Sequence, residues 1–198
     1  MTFSIARRLL GAIAALGAAL ALTGCGYNDF QRLDEQTKSA WSEVVNQYQR
    51  RSDLIENLVN TVKGETSFEQ DTLTKVIEAR AKATSIQVTP ETLNNPQQFQ
   101  QFQAAQGELT GALSRLLVTV ERYPDLKANQ NFLALQEELT ATEGRVAYAR
   151  QFYNDSVLSY NNKLQAFPTV FFARMLKFER REYFETDEAA REVPKVQF

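Results

Sequence analysis

Residues 130–167 read QNFLALQEELTATEGRVAYARQFYNDSVLSYNNKLQAF, and their spacing decides the fold class. Phe132, Leu139, Val146, Tyr153, Tyr160 and Phe167 recur every seventh residue, and Leu135, Ala149, Val157 and Leu164 widen the same stripe. That period sets them on one face of a helix of about 37 residues, about 55 Å long at 1.5 Å per residue. An apolar face of that length needs partners along all of it.

The preceding chain supplies them. Pro124 to Asn129 forms a turn, and before it lies a two-column repeat: Phe99, Gln106, Leu113 and Val120 in one column, Phe102, Leu109, Leu116 and Tyr123 in the other. Asn95-Pro96 with Gln98 marks the start of that helix, and the stretch from Ile86 to Pro96 is a connector. A shorter helix precedes it, with Leu73, Val76 and Ile77 on its apolar face, continued by Ala81 and Thr84, and Ser67 with Gln70 as a capping box. The first helix of the bundle runs from about Asp29 to Lys63, with Trp41, Tyr48, Ile55 and Val62 seven apart, and Gly64 stands where a C-cap glycine is expected. Strand-like alternation is nearly absent. The fold class is all-α: an antiparallel bundle of four long helices, a short fifth helix after Phe167-Pro168, and an irregular C-terminal tail over Glu179 to Phe198, read as loosely packed.

The N-terminus has a different character. Arg7 and Arg8 precede an unbroken apolar and small-residue run from Leu9 to Leu22, followed by Thr23-Gly24-Cys25. That run has signal-peptide length and is short for a bilayer span of roughly 20 residues. The segment 1–24 therefore reads as a lipoprotein-type signal, with Cys25 as the lipid attachment residue; the alternative is an uncleaved single-pass anchor in the plasma membrane. Either places the protein at a membrane, facing the extracytoplasmic side. Gly26, where an aspartate signals inner-membrane retention, leans a lipidated form toward the periplasmic face of the outer membrane. The chain thus divides into the signal at 1–24, the bundle at 25–167, and a short amphipathic helix with a charged tail at 168–198.

Composition excludes whole classes of chemistry. The chain has no histidine and one cysteine, so Ser-His-Asp and Cys-His catalysis, Glu-x-x-His di-iron centres and the usual zinc sites lack their residues. Eight scattered glycines form no phosphate-cradling loop. Loss of residues 1–24 removes two of the 22 basic residues and none of the 24 acidic ones, a balance that excludes a general nucleic-acid binder. The carboxylates Glu137, Glu138 and Glu143, with Glu43, Asp53 and Glu56, read as a solvated helix face or interhelical pairs. No catalytic residue, cofactor or metal is expected.

Three features remain. Arg51 falls between Val44 and Leu58 on the buried side of its helix, so it either snorkels to the bundle edge or pairs with Glu143 or another carboxylate on a facing helix. The pairs Tyr153-Asn154 and Tyr160-Asn161, one heptad apart, read as core tyrosines with asparagines hydrogen-bonding across helices. Phe171, Phe172, Arg174, Met175, Leu176 and Phe178 gather aromatic and basic residues in one short stretch, which either caps the bundle or forms a membrane or partner patch.

Several stretches together resemble the LemA family of bacterial membrane-associated proteins: Tyr27-Asn28, Ala40-Trp41-Ser42, Arg50 to Val59 with Thr61-Val62-Lys63-Gly64, Glu78-Ala79-Arg80, Tyr123 to Asn129, Leu135-Gln136, Thr142-Glu143, Ala149 to Asn154, Tyr160-Asn161, Phe167-Pro168 and Tyr183-Phe184-Glu185. The resemblance implies a membrane attachment followed by a long-helix bundle, relatives in magnetosome membranes, and no established reaction. The chain departs from the common pattern at Arg174 to Phe178, where many members place a glycine before the phenylalanine. The expected role is a noncatalytic envelope scaffold or interaction protein, with an unidentified envelope protein or a second copy as partner. The alternative is an envelope ligand- or polymer-binding module with a cleft near the aromatic segment after Pro168.

Overall fold

The computed structural model describes the backbone of residues 2–65, 67–167 and 169–185, and the side chains of these apart from 2–10, 12–26 and 172. Among the described residues there are six α-helices and no strand: α1 (Thr2–Lys63), α2 (Gln70–Ser85), α3 (Pro96–Val120), α4 (Pro124–Lys127), α5 (Gln130–Gln165) and α6 (Thr169–Met175), with a 3-10 turn at Pro90–Asn94. The four longest form the bundle, as the periodicity requires. The longest is α1 with 62 residues, not α5 with 36, because α1 continues through the N-terminal apolar stretch without a break.

Polar cross-links fix the helix directions. Antiparallel α1 and α5 are tied by Asp29–Lys163 at 2.7 Å near one end and Arg50–Glu138 at 2.6 Å near the other. Arg80 on α2 reaches back to the Ser52 carbonyl at 3.0 Å and to Glu56 at 2.5 Å on α1. Along α2 and α3, Lys82 pairs with Glu108 at 2.7 Å and Glu69 with Arg122 at 3.1 Å.

The interior divides into three clusters. Ile55, Leu58, Val62, Phe68, Leu73, Leu116 and Phe132 fill the end where α1 stops. The middle is aromatic: Trp41 touches Phe99, Phe102, Tyr153 and Phe184 at centroid distances of 5.5–6.0 Å, and its indole N–H donates to the Thr89 carbonyl at 3.3 Å. At the third cluster, Phe30 and Leu33 of α1 meet Tyr160 and Leu164 of α5 and Ala173 of α6.

Of the local expectations, the start of α3 holds and several others change. Asn95 caps α3, accepting from the Gln98 N–H at 3.2 Å with Pro96 in the first turn. The Ser67 capping box does not form; Ser67 bonds Glu65 instead, and Glu69 occupies the N-cap position without a side-chain cap. Gly64 ends α1 without a left-handed backbone; a Cβ there would sit 3.2 Å from the Thr61 carbonyl, so the glycine serves space, not φ. On α2, Ile77, Ala81 and Thr84 are exposed, and Ala83 continues the buried face from Leu73 and Val76. Phe167 is 82% exposed, because α5 ends at Gln165 and Ala166 is already extended, with ψ at 142°, just ahead of a proline.

The C-terminal segment also departs from expectation. Residues 179–185 form no helix but are not loosely packed, since Arg181 and Phe184 are buried against α5 and α1. Residues 186–198 lie outside the described residues.

Candidate functional site

Three places could carry function: a polar cleft in mid-bundle, the C-terminal strap, and the exposed face of α6. Of the chemistry-bearing residues named from sequence, the structure brings Arg51 and Glu143 together. Arg51 does not snorkel; it is 2% exposed. Its Nε lies 2.7 Å from Glu143 Oε1 without hydrogen-bond alignment, while Nη2 donates to Thr110 Oγ1 at 2.7 Å and Nη1 reaches Gln106 at 3.5 Å. These groups border a cleft of about 580 Å³ between α3 and α5, lined also by Tyr48, Gly107 and Arg150. The cleft stands in mid-bundle, away from the aromatic segment after Pro168 where a ligand cleft was expected.

The other acidic candidates are dispersed. Glu43 accepts from Gln47 and Asp53 from Gln49, and Glu56 pairs with Arg80. Glu138 is bonded by Arg50 and Arg145, which hold its carboxyl below the usual range. Glu137 lies on a shallow surface with Leu133 and Thr140. Among the described residues no group of three metal-binding side chains converges.

The strap is built on the Tyr-Asn pairs, and here the structure gives the asparagines a different partner from a facing helix. Asn161 donates from Nδ2 to the Arg181 carbonyl at 3.0 Å and accepts the Arg181 N–H at 3.0 Å. Asn154 treats Phe184 in the same way, at 3.1 and 2.9 Å. Each side-chain amide thus satisfies both backbone groups of one strap residue. The geometry explains the spacing: seven residues of α5 rise about 10.5 Å, and three residues of chain reach about 10–11 Å only when drawn out straight. The tyrosines complete each seat. Tyr160 lies under the Arg181 guanidinium at 4.7 Å, and Tyr153 packs on Phe184 at 5.4 Å while donating to the Glu182 carbonyl at 3.0 Å. Arg181 also pairs with Asp34 on α1, and its Nε and Nη1, which have no acceptor, belong to the guanidinium stacked on Tyr160. Arg150 donates to the Glu185 carbonyl at 2.8 Å. Burial pushes both tyrosine phenols above their ordinary range.

The α6 stretch is two-sided. Ala173 is buried, and Phe178 stacks on Phe30 at 5.1 Å and 13°. Phe171, Met175 and Leu176 face outward with 63%, 70% and 44% exposure, as do Arg174 and Lys177. The side chain of Phe172 lies outside the described residues, as does that of Cys25, whose backbone belongs to α1. Lys177 adopts φ 55°, with its N–H donating to the Arg174 carbonyl at 3.3 Å and the Phe178 N–H to the Ala173 carbonyl at 3.0 Å. That is a Schellman ending with lysine in the left-handed position that glycine favours. The departure from the family pattern therefore keeps the turn and places strain on it.

The family model described as "LemA family" matches residues 40–198. Similar curated proteins include magnetosome proteins MamQ 1 and MamQ 2 of Paramagnetospirillum magneticum, each 27% identical over 176 residues, covering 80% of this chain and 64% of theirs. Protein LemA of Metamycoplasma hominis is 26% identical over 164 residues, covering 83% of this chain and 71% of that protein. The chain thus spans somewhat under two thirds of the length of the magnetosome relatives.

Proposed function

Because this chain belongs to the LemA family, we propose that it is a noncatalytic helical scaffold or interaction protein held at a membrane of the bacterial cell envelope. The observation that carries this reading is the continuity of α1 from Thr2 to Lys63. The apolar stretch from Leu9 to Leu22, Cys25 and the helix around which the bundle is organised belong to one element, so an uncleaved anchor runs directly into the bundle and a lipid on Cys25 sits at the bundle's own end. Among the described residues no helix is long and apolar enough to cross a membrane; the anchor assigned here is the N-terminal stretch or the lipid at Cys25. The magnetosome naming of the MamQ relatives supports a role at a membrane-bounded structure.

Intact mass of the membrane-extracted protein tests the anchor. Loss of residues 1–24 with gain of acyl chains is expected; retention of Met1 to Gly24 replaces the lipid with an uncleaved helix. Recovery of the protein in the soluble fraction after lysis overturns anchoring altogether. A pull-down from envelopes with bundle-surface variants tests scaffolding, for which loss of a protein partner is the expected result and unchanged partners the contrary one.

A further inference from the structure

Phe167, Phe171 and Met175 follow one another at four-residue intervals and are 82%, 63% and 70% exposed, with Leu176 beside them at 44%. Phe167 and Phe171 touch edge to face at 6.0 Å, so water meets a contiguous aromatic surface. Such a patch on a folded surface marks an interaction site. Arg174, Lys177 and Arg180 are exposed in the same segment, against Glu179 alone within residues 167–180, so the segment that carries the patch is basic.

Its place in the fold identifies the occupant. Lys163 of α5 stands level with Asp29 of antiparallel α1, so the chain that follows α5 arrives about level with Cys25. The cluster beneath α6 agrees with that height, since Ala173 of α6 shares it with Phe30 and Leu33 of α1, and Phe178, just beyond α6, stacks on Phe30. From Phe30 back along α1, Cys25 is about 7.5 Å away and Leu22 about 12 Å away. The polar layer of one leaflet is roughly 5–8 Å deep, and aromatic side chains extend about as far again, so α6 stands at headgroup height under either form of anchor. Lys177 adds an independent sign. A lysine in a left-handed backbone is less stable there than glycine, yet it projects a cation at the rim of the apolar face.

We infer that the exposed face of α6 is a second, interfacial membrane contact: Phe167, Phe171 and Met175 enter the boundary between headgroups and acyl chains of an anionic bilayer, and Arg174 and Lys177 bind lipid phosphates. This rests on the anchoring reading above and adds to it a fixed orientation, because two contacts at one end hold the long axis of the bundle against tilting.

The test uses the full chain reconstituted in vesicles of phosphatidylethanolamine and phosphatidylglycerol containing acyl-brominated lipid, which quenches tryptophan at short range. Phe171→Trp is compared with Tyr148→Trp, an equally exposed position at the far side of the middle cluster, with buried Trp41 as common background. Bromolipid is expected to quench the added tryptophan of Phe171→Trp at least about twofold more than that of Tyr148→Trp. In Phe171→Trp, the further changes Arg174→Glu and Lys177→Glu are expected to reduce that quenching. Equal quenching of the two tryptophan variants in protein that co-floats with vesicles overturns the α6 contact and leaves anchoring intact, whether water or a partner protein covers the patch. Failure to co-float overturns both.

Discussion

Replacing Asn161 with leucine removes a side-chain amide of nearly the same shape and leaves the strap without its partner at Arg181. Its two 3.0 Å bonds to the Arg181 backbone are lost, with a third of 3.2 Å to the Tyr183 hydroxyl, in a place where Asn161 is 2% exposed and Arg181 5%. A made hydrogen bond contributes about 0.5–1.5 kcal/mol net, but a buried group left unsatisfied costs about 1–3 kcal/mol. With an N–H and a carbonyl both orphaned, the direct cost is about 2–6 kcal/mol. The strap has an alternative, which is to detach and solvate its backbone, and that forfeits the burial of Phe184, about 1.5–3 kcal/mol. The cheaper route sets the expected loss, about 1.5–3 kcal/mol, taken largely by local release. Urea unfolding followed by Trp41 fluorescence reads the total, since Trp41 packs 6.0 Å from Phe184. Hydrogen exchange at the Arg181 and Phe184 amides reads the release directly. Asn162→Leu, at the neighbouring exposed asparagine, is the control and is expected to stay within about 0.5 kcal/mol. If Asn161→Leu matches that control and both amides remain protected, the asparagine seats do not hold the strap.

Glu143→Ala strands the guanidinium of Arg51 at 2% exposure and is expected to cost about 2–4 kcal/mol in urea unfolding. Arg51→Met leaves a carboxylate that is 38% exposed and can rehydrate, so it should cost less, and the reverse order would refute the asymmetry. Lys177→Gly relieves a left-handed residue and should raise stability by up to about 1 kcal/mol, the relief being offset in part by the freer unfolded chain; destabilisation would show that the lysine makes a needed contact. Stability should be level through neutral pH and fall above about pH 10, because the unfolded chain ionises its tyrosines there while buried Tyr153 and Tyr160 stay protonated to higher pH. Tyr153→Phe should flatten that alkaline slope, and an unchanged slope in an unfolding series across pH 9–11 would contradict it.

The bundle was legible because its stripes are long. Burial at every seventh residue from Phe132 to Tyr160, or from Trp41 to Val62, needs no knowledge of what covers it. Arg51 was legible for the same reason: a charge inside a stripe must find a partner, and Glu143 was among the few carboxylates on the facing helix. The strap was not legible. Arg181 and Phe184 are single buried residues in a charged segment, with neither the period of a helix nor that of a strand. The asparagines that seat them bond mainly backbone, which every residue carries; the strap side chain that answers one of them is Tyr183, whose hydroxyl accepts from Asn161 at 3.2 Å. Phe167 kept the heptad period but lay beyond the helix, where the following proline had ended the periodicity's meaning.

The polar features share one structural consequence, which is register. Long heptad helices can slide by seven residues with little loss of apolar contact, since each stripe repeats itself. Sliding α5 by one heptad against α1 would bring either Arg150 or Gln136 to the place of Glu143. The first sets two guanidinium groups together at a 2% exposed site, and the second leaves Arg51 without a countercharge. Both are penalised by desolvation, so the pair selects one alignment even if its net contribution to stability is small. The strap repeats the selection, because displacement by a heptad would set Ala147 or Pro168 where one asparagine is needed. With α5 fixed against α1, Lys163 is fixed against Asp29, and the start of α6 is fixed at the height of Cys25. An ion pair whose arginine is buried in mid-bundle thus determines where an aromatic face stands at the end of the bundle nearest Cys25.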